Sequence, residues 1–158
     1  VEGLSGLQYA TDEAAAALAA LASAPGLDHD EVFVSAADPA NLYGAGGPLD
    51  IPLLEGGTAR LSRAPGNHLV LRGGRPVLIL EANGKRLTGL ASASAVEIDS
   101  ALARVLELVT PDRRVFKVES YNGQPTLASA AAGRLAELGF VRDYPAMTYY
   151  AAWSSNGV

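Results

Sequence analysis

Few residues in this 158-residue chain are of types that make or break bonds. Cysteine is absent, which removes thiolate nucleophiles, disulfides, thiolate zinc sites and iron–sulfur clusters. The two histidines, His29 in Asp28-His29-Asp30-Glu31 and His68 at a strand start, form no HExxH or other helical ligand pair, so no metal centre is expected. Ser35 and Ser62 lack the GxSxG turn that would expose a nucleophile. There is no GxxxxGK[ST] phosphate loop and no GxGxxG opening a helix, so the chain itself is not expected to hydrolyse ATP. Carboxylates remain. Asp38, Asp50 and Glu55 lie in a stretch rich in glycine and proline, and a hydrolytic site would be built around Asp38 as the group that activates water. Asp38-Pro39-Ala40-Asn41 is also good turn chemistry, because Asp and Asn side chains bond their own backbone two residues on. Both readings stay open at this point.

The second chemical resource is positive charge. Residues 1 to 59 hold nine acids and no Lys or Arg, whereas all twelve Lys and Arg lie between Arg60 and Arg142, against the chain's remaining eight acids. Arg60, Arg63, Arg72, Arg75, Lys85 and Arg86 are accompanied by Glu81 alone. Arg72, Arg75, Lys85 and Arg86 are therefore the candidate contact residues for DNA or a partner, with a solvated sheet face as the plain alternative. With a net charge of −5, any contact with nucleic acid has to be local. Six Tyr and one Trp against three Phe suit interfaces and base stacking as well as core edges.

These residues are carried on elements that can be read from periodicity and punctuation. Thr11-Asp12-Glu13 caps an alanine-rich helix that Pro25-Gly26 ends. Glu31 to Ser35 reads as a strand. From 37 to 58 the chain has glycines, prolines and no sustained period, so a long loop is expected. Asn67 to Arg72, Arg75 to Ala82 and Lys85 to Leu90 read as a meander with two-residue turns at Gly73-Gly74 and Asn83-Gly84. Those turns pair Arg72 with Arg75, Val70 with Val77 and Glu81 with Arg86, and they set Leu69, Leu71, Leu78, Leu80 and Leu87 on one face. Like charges opposed at Arg72 and Arg75 are unfavourable unless an anion sits between them. A helix over 93 to 108, a strand over 113 to 121, a helix over 128 to 138 and two short closing strands complete an α+β order. An echo at a constant offset of 117 relates the start of the chain to residues 118 to 138.

The chain is long enough for one domain, and 49% hydrophobic residues give it a single core to bury. No apolar run reaches the roughly 18 to 20 residues a membrane helix requires, so no membrane partner is expected. Opening on Val1 in mid-strand style, it reads as an excised fragment of a longer polypeptide, one domain over 1 to 158.

Ser35-Ala36-Ala37-Asp38-Pro39-Ala40-Asn41-Leu42-Tyr43-Gly44 resembles the SAADPxNxxG stretch near the C-terminus of the large helicase-related (Lhr) family of DEAD/DEAH-type ATP-dependent DNA helicases. Its signature positions here are Asp38, Pro39, Asn41, Tyr43 and Gly44. Gly6-Leu7-Gln8-Tyr9-Ala10 is similar to that family's G-x-Q-[FY]-A. Arg63-Ala64-Pro65-Gly66-Asn67, the Gly73-Gly74 hairpin and Leu80-Glu81 resemble its R-x-x-G-N…V-L-x-x-G…[LV]-E run, and Val118 to Gly123 with Leu135 to Phe140 resemble its closing element.

The resemblance implies an antiparallel sheet curled towards a β-barrel-like core and flanked by about three helices. It also implies a non-catalytic role in a 3′-to-5′ DNA helicase linked to DNA repair, in DNA engagement or oligomer assembly. ATP and magnesium would belong to upstream motor domains, with no cofactor in this domain. The implied partners are single-stranded or 3′-tailed DNA, the upstream winged-helix and motor domains and a homo-oligomer, in a cytoplasmic, nucleoid-associated setting. The related winged-helix DNA glycosylases carry a QxQ signature that this chain lacks, so base excision around Asp38 is the alternative rather than the expectation.

Overall fold

The computed structural model describes residues 9–23, 31–39, 41–43, 51–53, 56–59 and 61–151. The first helix, α1 (Asp12–Ala22), starts where Thr11 accepts at Oγ1 from the Ala14 N–H, with Asp12 and Glu13 in the first turn where the helix dipole favours acids. Residues 12 to 21 of α1 are all exposed. The strand β1 (Glu31–Ser35) follows, and then β2 (Ile51–Pro52) and β3 (Thr58–Ala59), which pair with each other. The expected long loop over 37 to 58 is therefore punctuated by an ordered two-stranded ribbon. Asp50, Glu55, Gly44, Asp28, His29, Asp30 and Arg60 lie outside the described residues.

The meander forms as the sequence predicts: β4 (His68–Arg72), β5 (Arg75–Glu81) and β6 (Arg86–Gly89). Gly73 and Gly74 turn the first hairpin at φ 55° and 78°. Arg72 lies opposite Arg75 and Glu81 opposite Arg86, as the turns require. The faces differ from expectation. A β-bulge between Val70 and Leu71 shifts the register by one, so Val70 faces Leu78 rather than Val77. Val70, Leu78, Leu80 and Leu87 share one core, while Leu69 and Ile79 belong to a second core on the opposite face, with Leu71 packed against it. The run Leu69-Val70-Leu71 is apolar on both sides, so alternation alone cannot register the bulge.

The meander sits in a six-stranded sheet of order β1-β4-β5-β6-β8-β9, with β8 (Ser120–Tyr121) and β9 (Gln124–Pro125) completing it. It is antiparallel except where β8 runs parallel to β6. Among the described residues β1 and β9 are its edges and no barrel closes; the α+β expectation with three helices is met, and the sheet is an open one covered on both faces.

One face is covered by α2 (Ala95–Val109), started by a full capping box of Ser94 and Glu97 and burying Ile98, Ala101, Leu102, Val105 and Leu106. A three-stranded sheet of β10 (Val141–Asp143), β11 (Ala146–Tyr150) and β7 (Val115–Val118), with α3 (Ala131–Glu137) after a 3-10 turn at Thr126–Ala128, closes that core through Phe116, Val118, Leu135 and Met147. The predicted strand over 113 to 121 is thus split between two sheets. On the other face Ile51, Leu61, Leu90 and Ala36 pack on Leu69 and Ile79. The offset-117 echo does not give equivalent helices, since α1 is exposed where α3 buries Ala131, Ala132 and Leu135.

Candidate functional site

The signature stretch leaves the end of β1 as consecutive turns held by its own polar groups. Asn41 is 2% exposed, donates through Nδ2 to the Ala36 carbonyl at 3.1 Å and accepts at Oδ1 from the Tyr43 N–H at 3.0 Å. The Asp38 N–H donates to the Ser35 carbonyl, and the Asp38 carbonyl accepts from the Asn41 N–H, both at 3.0 Å. Arg63 donates to the carbonyls of Ala37 and Asp38, each at 3.1 Å. The Tyr43 hydroxyl, its pKa raised by burial, donates to the Gly74 carbonyl at the first hairpin tip. Asp38 and Pro39 are exposed at the outside of this turn.

A second asparagine ties the signature to the second hairpin. Asn67 donates its backbone N–H to Ala64, its Nδ2 to the Ser62 carbonyl, and accepts at Oδ1 from the Ala82 N–H at 3.0 Å; its carbonyl accepts from Ala36 at 2.8 Å. Next to it, Gly66 at φ 82° lies so close to the Asn83 side chain that a Cβ would meet it at 2.8 Å. Residues 36 to 38 of the signature stretch and residues 63 to 67, which also carry part of the resemblance, therefore bind each other.

The four candidate contact residues have acid partners. Arg72 meets Glu31 at 3.2 Å and Glu97 at 3.8 Å, and Arg75 meets the same Glu97 oxygen at 3.3 Å. The anion required between the opposed arginines is thus supplied by the first turn of α2. Lys85 pairs with Glu119 at 2.8 Å and Arg86 with Glu81 at 3.5 Å. Side-chain exposure separates them: Arg72 is 19% exposed and part of the packing, whereas Lys85 and Arg86 are 54% and 56% exposed. Surface pairs of that exposure contribute about 0 to 1 kcal/mol and exchange readily for another anion.

Glu97 also fixes a pH dependence. The Ser94 backbone N–H, donating at 2.7 Å, the Ser94 side chain, and Arg75 and Arg72 hold its carboxyl below the usual carboxylate range. A carboxyl depressed in the fold contributes stability above its unfolded pKa and loses it as pH falls through the folded value. Urea midpoints followed from about pH 5 to 3 are expected to fall more steeply for the native chain than for Glu97→Gln. Equal slopes would refute this role.

Sequence reading passed over one cavity among the described residues. A cleft of about 350 Å³ opens beside the β5–β6 turn, walled by Phe33, His68, Leu80, Leu108 and Phe116. Asp112 and Arg113 also line it, as do Asn83 and Gly84 of the turn. Phe33 and His68 stack with centroids 4.6 Å apart and planes within 10°. Burial lowers the pKa of His68 first and the positive charge of Arg113 adds to this, against a bond to the Gly66 backbone that raises it. Arg113 donates to the Asn83 carbonyl at 2.9 Å. Gly84 must be glycine, since its φ is 88° and a Cβ would overlap the Phe116 ring. These residues come from β1, β4, the second turn, the end of α2 and β7, so no local spacing announces them. His68, the one polar residue opening an apolar strand, was the single visible signal.

Neither Asp38 nor the four cationic candidates line the cleft, but Asn67 and Gly66 hold the Ala82-Asn83 turn that forms its edge. Comparison with known protein families, with curated proteins and with solved structures finds no match to this chain. Among the described residues no group of His, Asp and Glu is arranged to hold a metal ion, and no helix is long and apolar enough to cross a membrane.

Proposed function

We propose that this chain is a non-catalytic accessory domain of an ATP-dependent 3′-to-5′ DNA helicase of the large helicase-related kind, and that it helps the parent hold single-stranded or 3′-tailed DNA. The observation that carries the non-catalytic part is the use of the signature: Asn41 is buried and both ends of its amide bind the chain's own backbone. A motif consumed in this way is a scaffold. It leads, through Arg63 and Asn67, to the hairpin that presents Lys85 and Arg86. In this reading ATP and magnesium belong to motor domains elsewhere in the parent, and the setting is the nucleoid.

The DNA-facing set narrows to Lys85 and Arg86, because Arg72 is only 19% exposed and is linked to Arg75 through Glu97 in one cluster with Glu31. Among the described residues, Lys85 and Arg86 each hold a single surface pair. Each phosphate neutralised on a single strand contributes about −0.7 to the slope of log K against log salt. Lys85→Glu with Arg86→Glu is therefore expected to weaken retention of single-stranded DNA and to flatten that slope by roughly 0.7 to 1.4. Titration of fluorescent single strands at several salt concentrations checks this. Unchanged affinity and slope, with an altered solution mass, would assign the hairpin to oligomer assembly instead.

A further inference from the structure

We propose that the cleft between the β5–β6 turn and the end of α2 receives one unstacked base of a single DNA strand. The inference rests on the reading of the chain as a DNA-holding domain and names what its site would bind.

Three features of the cleft fit a nucleobase. Its walls are aromatic and aliphatic: Phe33 and His68, stacked on each other so that each keeps only its outer ring face, with Phe116, Leu80 and Leu108. Base stacking needs such π surfaces and tolerates any base, since each has a flat face. Its polar lining presents a donor and an acceptor side by side. Arg113 uses one N–H on the Asn83 carbonyl and, among the described residues, pairs with no carboxylate, and the adjacent Asp112 is exposed. A base edge offers acceptors to a guanidinium and an N–H donor, exocyclic or, in thymine, the ring N3–H, to a carboxylate, a combination that an aliphatic or phenyl ligand lacks.

The third feature is the strand's backbone. Lys85 follows Gly84 of the cleft directly, and Lys85 and Arg86 hold only surface ion pairs, so a phosphate flanking the seated base can take their charge. The volume of about 350 Å³ lies in the range of small-molecule sites. Burial lowers the pKa of His68, which favours the neutral ring.

The test compares the 158-residue chain on a fluorescent oligothymidylate and on an abasic strand of equal length, with thymidine monophosphate as competitor. The native chain is expected to prefer the base-bearing strand by about fivefold or more, the scale of one stacked base. Phe33→Leu with His68→Leu, which keeps the wall apolar but removes the rings, is expected to abolish the preference while leaving abasic-strand affinity in place. Thermal melting establishes that this variant folds, and exposed Asp112→Asn gives a second variant expected to reduce the preference without touching the core. Equal binding of both strands by the native chain overturns the inference and leaves the DNA-holding reading standing. Binding of neither strand overturns both. A preference that survives loss of the rings places the base elsewhere and also overturns it, as does competition by the free nucleotide at parity with the strand.

Discussion

Leu78→Ala is expected to lower the free energy of unfolding by about 2 to 5 kcal/mol, the range for removing a fully enclosed leucine side chain. Leu78 is wholly buried, and on its face Val70 lies across β4 and Leu80 and Leu87 complete the wall against α2. Collapse into the gap is restricted because the residue is held between two hydrogen-bonded strands and a packed helix. Chemical denaturation checks the figure, with Val32→Ala as the comparison: Val32 is 51% exposed on the edge strand, and its truncation is expected to cost less than about 0.5 kcal/mol. If the two variants had equal midpoints, the enclosure of Leu78 in that core would be wrong.

Asn41→Ala is expected to cost a similar amount, about 2 to 5 kcal/mol. It leaves two backbone groups without partners, the buried Ala36 carbonyl at about 1 to 3 kcal/mol and the half-buried Tyr43 N–H at less, and it opens a gap in the turn. Asp38→Asn is expected to be tolerated within about 1 kcal/mol, because the backbone bonds of Asp38 to Ser35 and Asn41 do not involve its carboxylate and Asn forms the same turns. The pair of variants separates scaffold from site. A hydrolytic or base-excising centre at Asp38 would respond the other way, with activity abolished by Asp38→Asn and the fold unchanged. Parallel urea melts and a base-excision assay on the parent decide between these outcomes.

Local order was largely legible. The Gly73-Gly74 turn, the Glu81–Arg86 pair and the strand over 31 to 35 stand where periodicity and punctuation put them, and the helix expected over 93 to 108 is found at Ala95–Val109, because each is decided within a few residues. The bulge after Val70 was not legible. Three apolar residues in a row satisfy either register when both faces are buried, and the choice is made by α2 on one side and the β2–β3 ribbon on the other. The division of 113 to 121 between β7 and β8 escaped for a related reason: the alternation continues through Glu119 while the hydrogen-bond partner changes.

At the site, the candidate arginines were correctly singled out as an opposed pair, and the anion between them was found in a helix that sequence distance kept out of view. The cleft was beyond reach, since its walls are assembled from positions as far apart as Phe33 and Phe116.

One carboxylate oxygen serving Arg72 and Arg75 together has a consequence for how related chains can vary. Positions 72, 75 and 97 form a unit of inheritance rather than three independent sites. A chain that loses the acid at 97 keeps Glu31 beside Arg72 but leaves Arg75 facing that arginine without a carboxylate of its own, and the economical repair is a neutral residue at 75. Replacement of the acid at 97 should therefore travel with the loss of one arginine, and a lineage that keeps both arginines should keep the acid.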